Sequence, residues 1–411
     1  MSESKKELLL WIGPLLEEGE LEEMVANGEC ATVSANLAEW NFLKYFVRET
    51  ESGIVVLSAI RTIEWPKNKV LRYRQRPAEN HLDGRLTLHN VGFCNVFGVS
   101  HLSRGNSLAS KARELAAAID EDVFVNIFVY SMHLPFMKAA SAFKEHHRNS
   151  SYKLIVPDLP LNMNTSTPLR KILKQVDWKN IQARMSAVDG YILYTKQMAE
   201  YLQLSKDRYM VCEGIANINL LELPIPEIDW EQEGKRLIYA GNLDAKYRIE
   251  NLVKAFGMVD DPNVRLEIYG KGSGENAVKA ACSETRNAQY CGYKTNDEIV
   301  SLMRKSTFVV NPRPVDLECA EYSCPSKTLE AMACGIAFAS SDLPGIPSEY
   351  WDYIVCIDCT SVTRLAQELK SLMRMSPADL RTMKERARCF ISKRSRSSIQ
   401  AMLNYCGDKN A

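Results

Sequence analysis

Two doubly wound α/β domains are what the sequence predicts, and three observations predict them. Apolar runs of strand length alternate with helical segments over most of the chain, as in parallel sheets covered by helices. A proline-containing acidic stretch at 216–235, which includes Leu-Glu-Leu-Pro-Ile-Pro-Glu-Ile-Asp-Trp, has no periodicity and is followed by a fresh βαβ unit. The 411 residues suffice for two cores of ordinary size. The expected division is 1–215, a linker at 216–235, 236–385, and a terminal helical segment at 386–411.

Lys+Arg and Asp+Glu stand at 51 each, so the excess positive charge that a nucleic-acid surface needs is missing. Met1-Ser-Glu-Ser-Lys-Lys-Glu leads into an apolar run too short for a secretory signal, and no apolar segment has the length of a membrane span. A cytoplasmic protein is expected. The twelve cysteines are scattered singly, several inside strands or helices (Cys212, Cys291, Cys334, Cys356), which fits buried thiols in a reducing compartment. Cys356-Ile-Asp-Cys359 has the spacing of a metal or redox pair, but no second pair or histidine cluster accompanies it, and the structural reading is preferred.

In the first half, 7–12 reads as a strand that ends at Gly13-Pro14, and the acidic run 17–23 suits the start of a helix. Buried strands are expected at 53–58 and 91–99, with loops and short helices at 61–85 and 103–111. Val123-Phe-Val-Asn-Ile-Phe-Val-Tyr130 is the clearest strand, and Ser131-Met-His133-Leu-Pro135 follows it, with a helix from 136. His133 therefore stands at the carboxyl end of a parallel strand, where ligands bind in open α/β sheets. His81, His89, His101, His146 and His147 lie in polar surroundings and read as surface residues. The strand starting at Tyr152 reaches a sharp loop at Pro157-Asp158-Leu-Pro160, where Asp158 either orients a ligand or caps the turn. From 168 to 185, Leu169, Ile172, Leu173, Val176, Ile181 and Met185 form an apolar stripe with basic residues between them. Such a helix either packs on a core or lies on an anionic membrane surface. Strands at 189–195 and 208–214 complete this half.

In the second half, strands at 236–241 and 264–270 flank a helix at 249–259. Gly241-Asn242, Lys246 and Arg248 follow the first of these strands, where glycine lets a backbone approach a ligand and a cation can reach a phosphate. Gly270-Lys-Gly272-Ser-Gly274 is a partial dinucleotide fingerprint, weak by itself. A short strand and turn are expected at 288–293, and helices at 361–375 and 377–405.

The stretch with most chemistry is Tyr322-Ser-Cys-Pro-Ser-Lys-Thr-Leu-Glu330-Ala-Met-Ala-Cys-Gly335, set between strands at 307–311 and 336–340. Pro325 suits the start of a helix and Gly335 its end. Ser326, Lys327, Thr328 and Leu329 then form a first turn whose unpaired N–H groups and dipole attract an anion. Lys327 adds positive charge, and Glu330 is an acceptor suited to vicinal hydroxyls. Two phosphates next to a ribose would satisfy both.

Together with Asn311-Pro-Arg313 and Leu343-Pro-Gly-Ile-Pro-Ser-Glu349-Tyr, this stretch resembles the donor-binding segment of the retaining GT-B glycosyltransferases of glycosyltransferase family 4. It is closest in pattern to the bacterial exopolysaccharide and capsule branch, which carries Tyr-Ser-Phe-Pro-Ser-Lys-x-x-Glu. Cys324 replaces the Phe. The commoner pattern has two glutamates; Glu330 matches the second, Tyr322 occupies the place of the first, and Glu318 or Glu321 stands nearby.

The resemblance implies a GT-B fold, two Rossmann-like domains with a cleft between them and a final helix that crosses back to the first. It implies His133, Lys246 and Lys327 in catalytic roles, with Lys246 or Arg248 meeting the donor diphosphate. Gly241, Asn242, Gly270, Gly272, Arg313, Ser326, Thr328, Leu329 and Glu330 would hold the donor, Tyr293 would stack on its base, and Gly13 and Asp158 would face the acceptor. The implied substrates are a nucleotide-sugar donor and a saccharide or lipid-linked acceptor, in cell-surface polysaccharide synthesis. Neither metal nor cofactor is expected, and peripheral membrane contact would run through 168–185. A GT-B partner subunit without catalysis and a nucleotide-sugar epimerase are the alternatives; an epimerase needs more acids and histidines than accompany His133.

Overall fold

The computed structural model describes residues 7–29, 33–160, 168–227, 234–317 and 320–405. It divides into two compact units, Met1–Ile215 with Arg396–Ala411, and Ala216–Ser395.

Among the described residues the first unit holds ten strands: β1 (Glu7–Gly13), β2 (Gly53–Ser58), β3 (Arg72–Tyr73), β4 (Glu79–His81), β5 (Leu86–Asn90), β6 (Phe93–Cys94), β7 (Phe124–Tyr130), β8 (Ser150–Val156), β9 (Gly190–Leu193) and β10 (Tyr209–Val211). Eight of them form one sheet in the order β10-β9-β8-β7-β1-β2-β5-β4, parallel except for β4 against β5, while β3 and β6 form a separate antiparallel ribbon. β1 is central and covered on both faces, so Leu9, Leu10, Trp11 and Ile12 are all buried, which is why it reads as an unbroken apolar run. Trp11 packs among Phe42, Phe46, Phe128 and Tyr130, with ring centroids 5.8–6.5 Å apart.

Phe42 and Phe46 belong to a helix, Val33–Glu49, for which the sequence reading made no provision. Three further expectations need correction. Of the strand expected at 91–99 only the two-residue β6 forms there, and the sheet strand β5 starts five residues earlier; only its Leu86 and Leu88 are fully buried, and polar Thr87, His89 and Asn90 hid it. The segment 61–85 contributes β3 and β4. The segment 103–111 is the middle of a 19-residue helix, Ser100–Ala118. That helix shows Leu108, Ala109, Ala112 and Ala116 to the core, and its small side chains let it lie close to helix Leu134–His146, where a Cβ on Gly105 would come within 3.5 Å of the Pro135 backbone. On helix Pro168–Arg184, Ile181 is buried and Val176 is exposed; Leu169, Ile172 and Leu173 lie outside the described side chains.

Among the described residues the second unit has six parallel strands: β11 (Lys235–Ala240), β12 (Val264–Tyr269), β13 (Ala288–Tyr290), β14 (Phe308–Asn311), β15 (Ala337–Ser340) and β16 (Val355–Cys356). Their order is β13-β12-β11-β14-β15-β16. The winding direction therefore reverses between β11 and β14, and loops that leave their carboxyl ends diverge there to form a crevice. The segment expected as a featureless linker begins as part of this unit. Asn217 caps helix Ile218–Glu222 by accepting from the Asn219 N–H at 3.0 Å, and Ala216 and Leu220 join the unit's core.

Residues 377–404 are one helix of 28 residues, of which the portion from Arg396 belongs to the first unit. There Met402 O accepts from the buried Lys153 ammonium at 3.3 Å, and Lys153 also donates to Asn126 Oδ1 at 2.9 Å. Arg396 pairs with Glu49 at 2.7 Å.

Candidate active site

In the second unit the loops after β11 and β12 lie backbone against backbone. A Cβ on Gly270, at φ 141°, would fall 1.9 Å from Gly241 O, and one on Gly272 would fall 2.2 Å from the Leu243 carbonyl carbon. Only glycine permits this approach. Hydrogen bonds fasten it, from Leu243 N to Lys271 O at 2.9 Å and from Gly274 N to Leu243 O at 2.7 Å. The partial fingerprint thus shapes the edge of the crevice: packing of one loop on the other accounts for Gly270 and Gly272. Asn242 is used in the same way. Its Oδ1 accepts from Asp244 N at 2.9 Å, forming an Asx turn.

This turn presents Lys246 and Tyr247. The Lys246 ammonium lies 5.2 Å from the Tyr247 ring centroid, and the Arg313 guanidinium, from the loop after β14, lies 4.8 Å from the same ring. Two cations from the loops on either side of the reversal thus converge on one aromatic ring. Neither has a carboxylate partner among the described residues, and Arg313 Nε is buried without a hydrogen-bond partner. Arg248 differs from both: it adopts the left-handed conformation and pairs with exposed Asp316 at 3.4 Å.

Helix Ser326–Cys334 begins after Pro325 and ends at Gly335 in the left-handed conformation, as its sequence requires. Ser326 is exposed. Thr328 and Leu329 turn their side chains inward, and the Thr328 N–H is taken by Pro325 O at 2.9 Å. Lys327 Nζ donates to Glu330 Oε2 at 2.5 Å and to Asn296 Oδ1 at 3.2 Å. The residues expected to meet a phosphate and a ribose are therefore paired with each other. Asn296 opens the helix that follows Tyr293, so this contact also ties the Tyr293 loop to the helix start. Tyr293 is exposed, with the Lys271 ammonium 4.5 Å from its ring centroid. Glu321 is exposed, and Glu318 lies outside the described residues.

In the first unit Gly13, Asp158 and His133 all stand at the carboxyl edge of the sheet, Gly13 as the last residue of β1 and the other two after β8 and β7. Gly13 is glycine because a Cβ there would lie 2.0 Å from Glu39 Oε2. Asp158 is exposed in its loop, within the field of Arg61. His133 caps helix Leu134–His146 after Ser131 turns the chain at φ 75°, and its N–H donates to Ser131 O at 2.8 Å.

The histidine expected at the surface, His101, lies against it. The two Nε2 atoms are 3.3 Å apart, and His101 Nδ1 is 3.6 Å from Asp177 Oδ1. Burial, together with the nearby charges of Arg61, His101 and Arg104, holds the His133 pKa well below its ordinary value. Burial also lowers that of His101, with Asp177 opposing and Arg104 and Arg61 reinforcing. Asp177 favours a proton on His101 Nδ1, which makes His101 Nε2 an acceptor for the His133 Nε2–H. His133 Nδ1, buried and without a partner among the described residues, is then a bare acceptor.

His147 is likewise not a surface residue: it is buried, and its Nε2 contacts Val123 O at 2.9 Å. Sequence reasoning also missed Glu39, which is wholly buried and accepts from Trp11 Nε1–H at 2.8 Å; burial pushes its carboxyl up to about 8. No pattern marked Glu39, His101 or Asp177, because the helices that carry them reach this edge only through packing.

Residues 225–390 match the family described as glycosyl transferases group 1. No curated protein matches. Among solved structures, the chain is similar to an alpha,alpha-trehalose-phosphate synthase (UDP-forming) from Burkholderia xenovorans, in complex with glucose-6-phosphate. The identity is 10% and the TM-score 0.63, over 97% of this chain and 99% of that one. It is also similar to the trehalose-6-phosphate protein from E. coli bound with UDP-2-fluoro glucose, at 10% identity and TM-score 0.64 over 96% and 98%. A glycosyltransferase from Rickettsia africae ESF-5 gives 12% identity and TM-score 0.61 over 98% and 100%. The fold is GT-B, and the match to the glycosyl transferases group 1 family lies within the second unit.

Two outcomes are expected from the first unit. In nitrogen-15 NMR spectra of labelled protein, His133 is a neutral Nε2–H tautomer at pH 6.5, and His101→Phe removes that tautomer preference. For Glu39, whose ordinary pKa is 4.5, the unfolded chain releases the proton at lower pH than the native state does. Stability therefore falls as pH rises from about 4.5 through about 8. Glu39→Gln keeps an oxygen for Trp11 and cannot ionise, so its melting temperature should match the parent at pH 5 and exceed it at pH 8.5.

Proposed function

We propose that the protein moves a sugar from a nucleotide-sugar donor to a saccharide or lipid-linked saccharide, with retention at the anomeric carbon. The convergence of Lys246 and Arg313 on Tyr247 carries this reading, since two unpaired cations at the reversal of a parallel sheet suit a diphosphate. The synthases bound with UDP-2-fluoro glucose and with glucose-6-phosphate support the donor class and a sugar acceptor.

In the transfer, the bond from the anomeric carbon to the phosphate oxygen breaks and its electron pair stays on the diphosphate. The acceptor hydroxyl oxygen bonds to the same face of that carbon, and its proton passes to the departing phosphate. Negative charge grows on the diphosphate, so catalysis requires fixed positive potential there. Lys246, Arg313 and the first turn of helix Ser326–Cys334 supply it, and no step requires a metal ion. Lys327 leaves Glu330 to face the diphosphate, which frees Glu330 to accept from the ribose hydroxyls. The base stacks on the face of Tyr293 opposite Lys271. His133 Nδ1 accepts a hydroxyl of the transferred sugar, and Gly13 and Asp158 line the acceptor side. A role in cell-surface polysaccharide synthesis follows the capsule-type form of the Tyr322–Glu330 segment.

Calorimetric titration with UDP, GDP, ADP and dTDP identifies the nucleotide and then tests the site. Lys246→Ala and Arg313→Ala should each weaken the nucleoside diphosphate by about 10- to 100-fold, the loss of one charge-assisted contact of about 1.5–3 kcal/mol. The corresponding nucleoside should bind as before. Glu330→Ala should weaken both. Parental diphosphate affinity in Lys246→Ala and Arg313→Ala would sink the assignment.

A further inference from the structure

Half of the strongly exposed large apolar side chains among the described residues, five of ten, lie between residues 65 and 102. They are Trp65, Leu71, Phe97, Val99 and Leu102, at 41, 53, 39, 48 and 66% exposure. The two stretches that carry them are paired. Trp65 N donates to Asn95 O at 2.9 Å, Phe97 N to Trp65 O at 3.2 Å, and Asn95 N to Leu71 O at 2.8 Å, while β3 pairs with β6 beyond. Val99, at the N-cap, and Leu102, on the first turn of helix Ser100–Ala118, follow Phe97.

Buried asparagines, rather than these apolar groups, hold the platform together. Asn95 Nδ2 donates to Ile63 O and Val70 O, both at 3.0 Å, and Asn68 Oδ1 accepts from Val70 N at 2.8 Å. Asn68 and Asn95 are turned inward while Trp65, Leu71, Phe97, Val99 and Leu102 are exposed, and a group of exposed large apolar side chains on paired stretches marks an interaction surface.

Charge identifies what covers it. Residues 65–78, Trp-Pro-Lys-Asn-Lys-Val-Leu-Arg-Tyr-Arg-Gln-Arg-Pro-Ala, contain five basic residues and no acid. Lys67, Lys69, Arg72 and Arg74 are exposed and have no carboxylate partner among the described residues. Cations interleaved with Trp, Leu and Phe suit the boundary of an anionic bilayer, where aromatic rings sit at headgroup level and basic side chains meet phosphate.

We propose that this surface docks on an anionic lipid bilayer. Its residues belong to other elements than helix Pro168–Arg184, which reaches its margin where Asp177 meets His101. Leu102 adjoins His101, so docking sets the His101–His133 corner beside the headgroups, which suits the lipid-linked branch of the acceptor class. Only that last link rests on the proposed transferase reading; the docking itself is tested without substrate.

The full chain is mixed with extruded vesicles of phosphatidylcholine alone, or with 30% phosphatidylglycerol, and sedimented at low and high salt. The parent should partition at least tenfold more strongly onto the anionic vesicles, and high salt should weaken it. Lys67→Glu with Lys69→Glu should reduce partitioning by about 25-fold or more, since each cation contributes about fivefold. Trp65→Ser with Phe97→Ser should reduce it as well. Circular dichroism melts and nucleoside diphosphate affinity report folding; the two lysine changes sit on exposed side chains, so they keep the test valid if the apolar pair fails to fold. Equal sedimentation with both vesicle types overturns the proposal, as does anionic partitioning that neither variant changes. A concentration-dependent dimer in sedimentation velocity, abolished by Trp65→Ser with Phe97→Ser, would assign the surface to a second copy of the chain instead.

Discussion

The backbone contact between the loop after β11 and the loop after β12 is the constraint on which the candidate donor site depends. Gly270 and Gly272 have no room for a side chain, because Gly241 O and the Leu243 carbonyl occupy the space within 2.2 Å. With the two loops locked, the Asx turn at Asn242 and the short helix Ala245–Tyr247 have one place to go, and Tyr247 is buried there. Lys246 and Arg313 then meet over its ring. Backbone approach on one side of β11 therefore positions charge on the other.

The charges around this candidate site are not all balanced within the protein. A lysine in the first turn of a helix opposes the dipole and costs stability, whereas an anion there is favourable. Lys327 offsets that cost by pairing with Glu330 one turn on. The pair holds both side chains at the start of the helix. Lys246 and Arg313 have no such internal partner among the described residues. Their positive potential is held by an aromatic face, whose attraction for a cation is weaker than that of a carboxylate.

In the first unit, burial has the opposite use. Glu39 sits beneath Gly13 with a carboxyl that holds its proton at neutral pH, which removes a negative charge from the edge where His133 and Asp158 stand. Burial likewise lowers the pKa values of His133 and His101, and Asp177 beside His101 Nδ1 favours the tautomer pair that leaves His133 Nδ1 bare. An acceptor nitrogen of set tautomer binds a hydroxyl without presenting charge to it.

Strands buried on both faces were legible, because a continuous apolar run needs no partner to be recognised: β1, β2, β7, β11 and β14 fall within a residue or so of their expected positions. Helix Ser326–Cys334 was equally plain, with proline before it and glycine after it fixed by backbone chemistry. Half-buried β5, and helices Val33–Glu49 and Ser100–Ala118 with their small or mixed faces, carry no such local signature. The sequence by itself determined the alternation of strands and helices, the restart of the pattern after residue 235, and the short helix between Pro325 and Gly335, since each follows from periods and dihedral preferences within a few residues. Only the tertiary structure decided that Arg313 joins Lys246, that Lys327 holds Glu330, and that His101 and Asp177 set the state of His133. Those pairs are distant in the chain, and their energies exist only once packing has brought the side chains within reach.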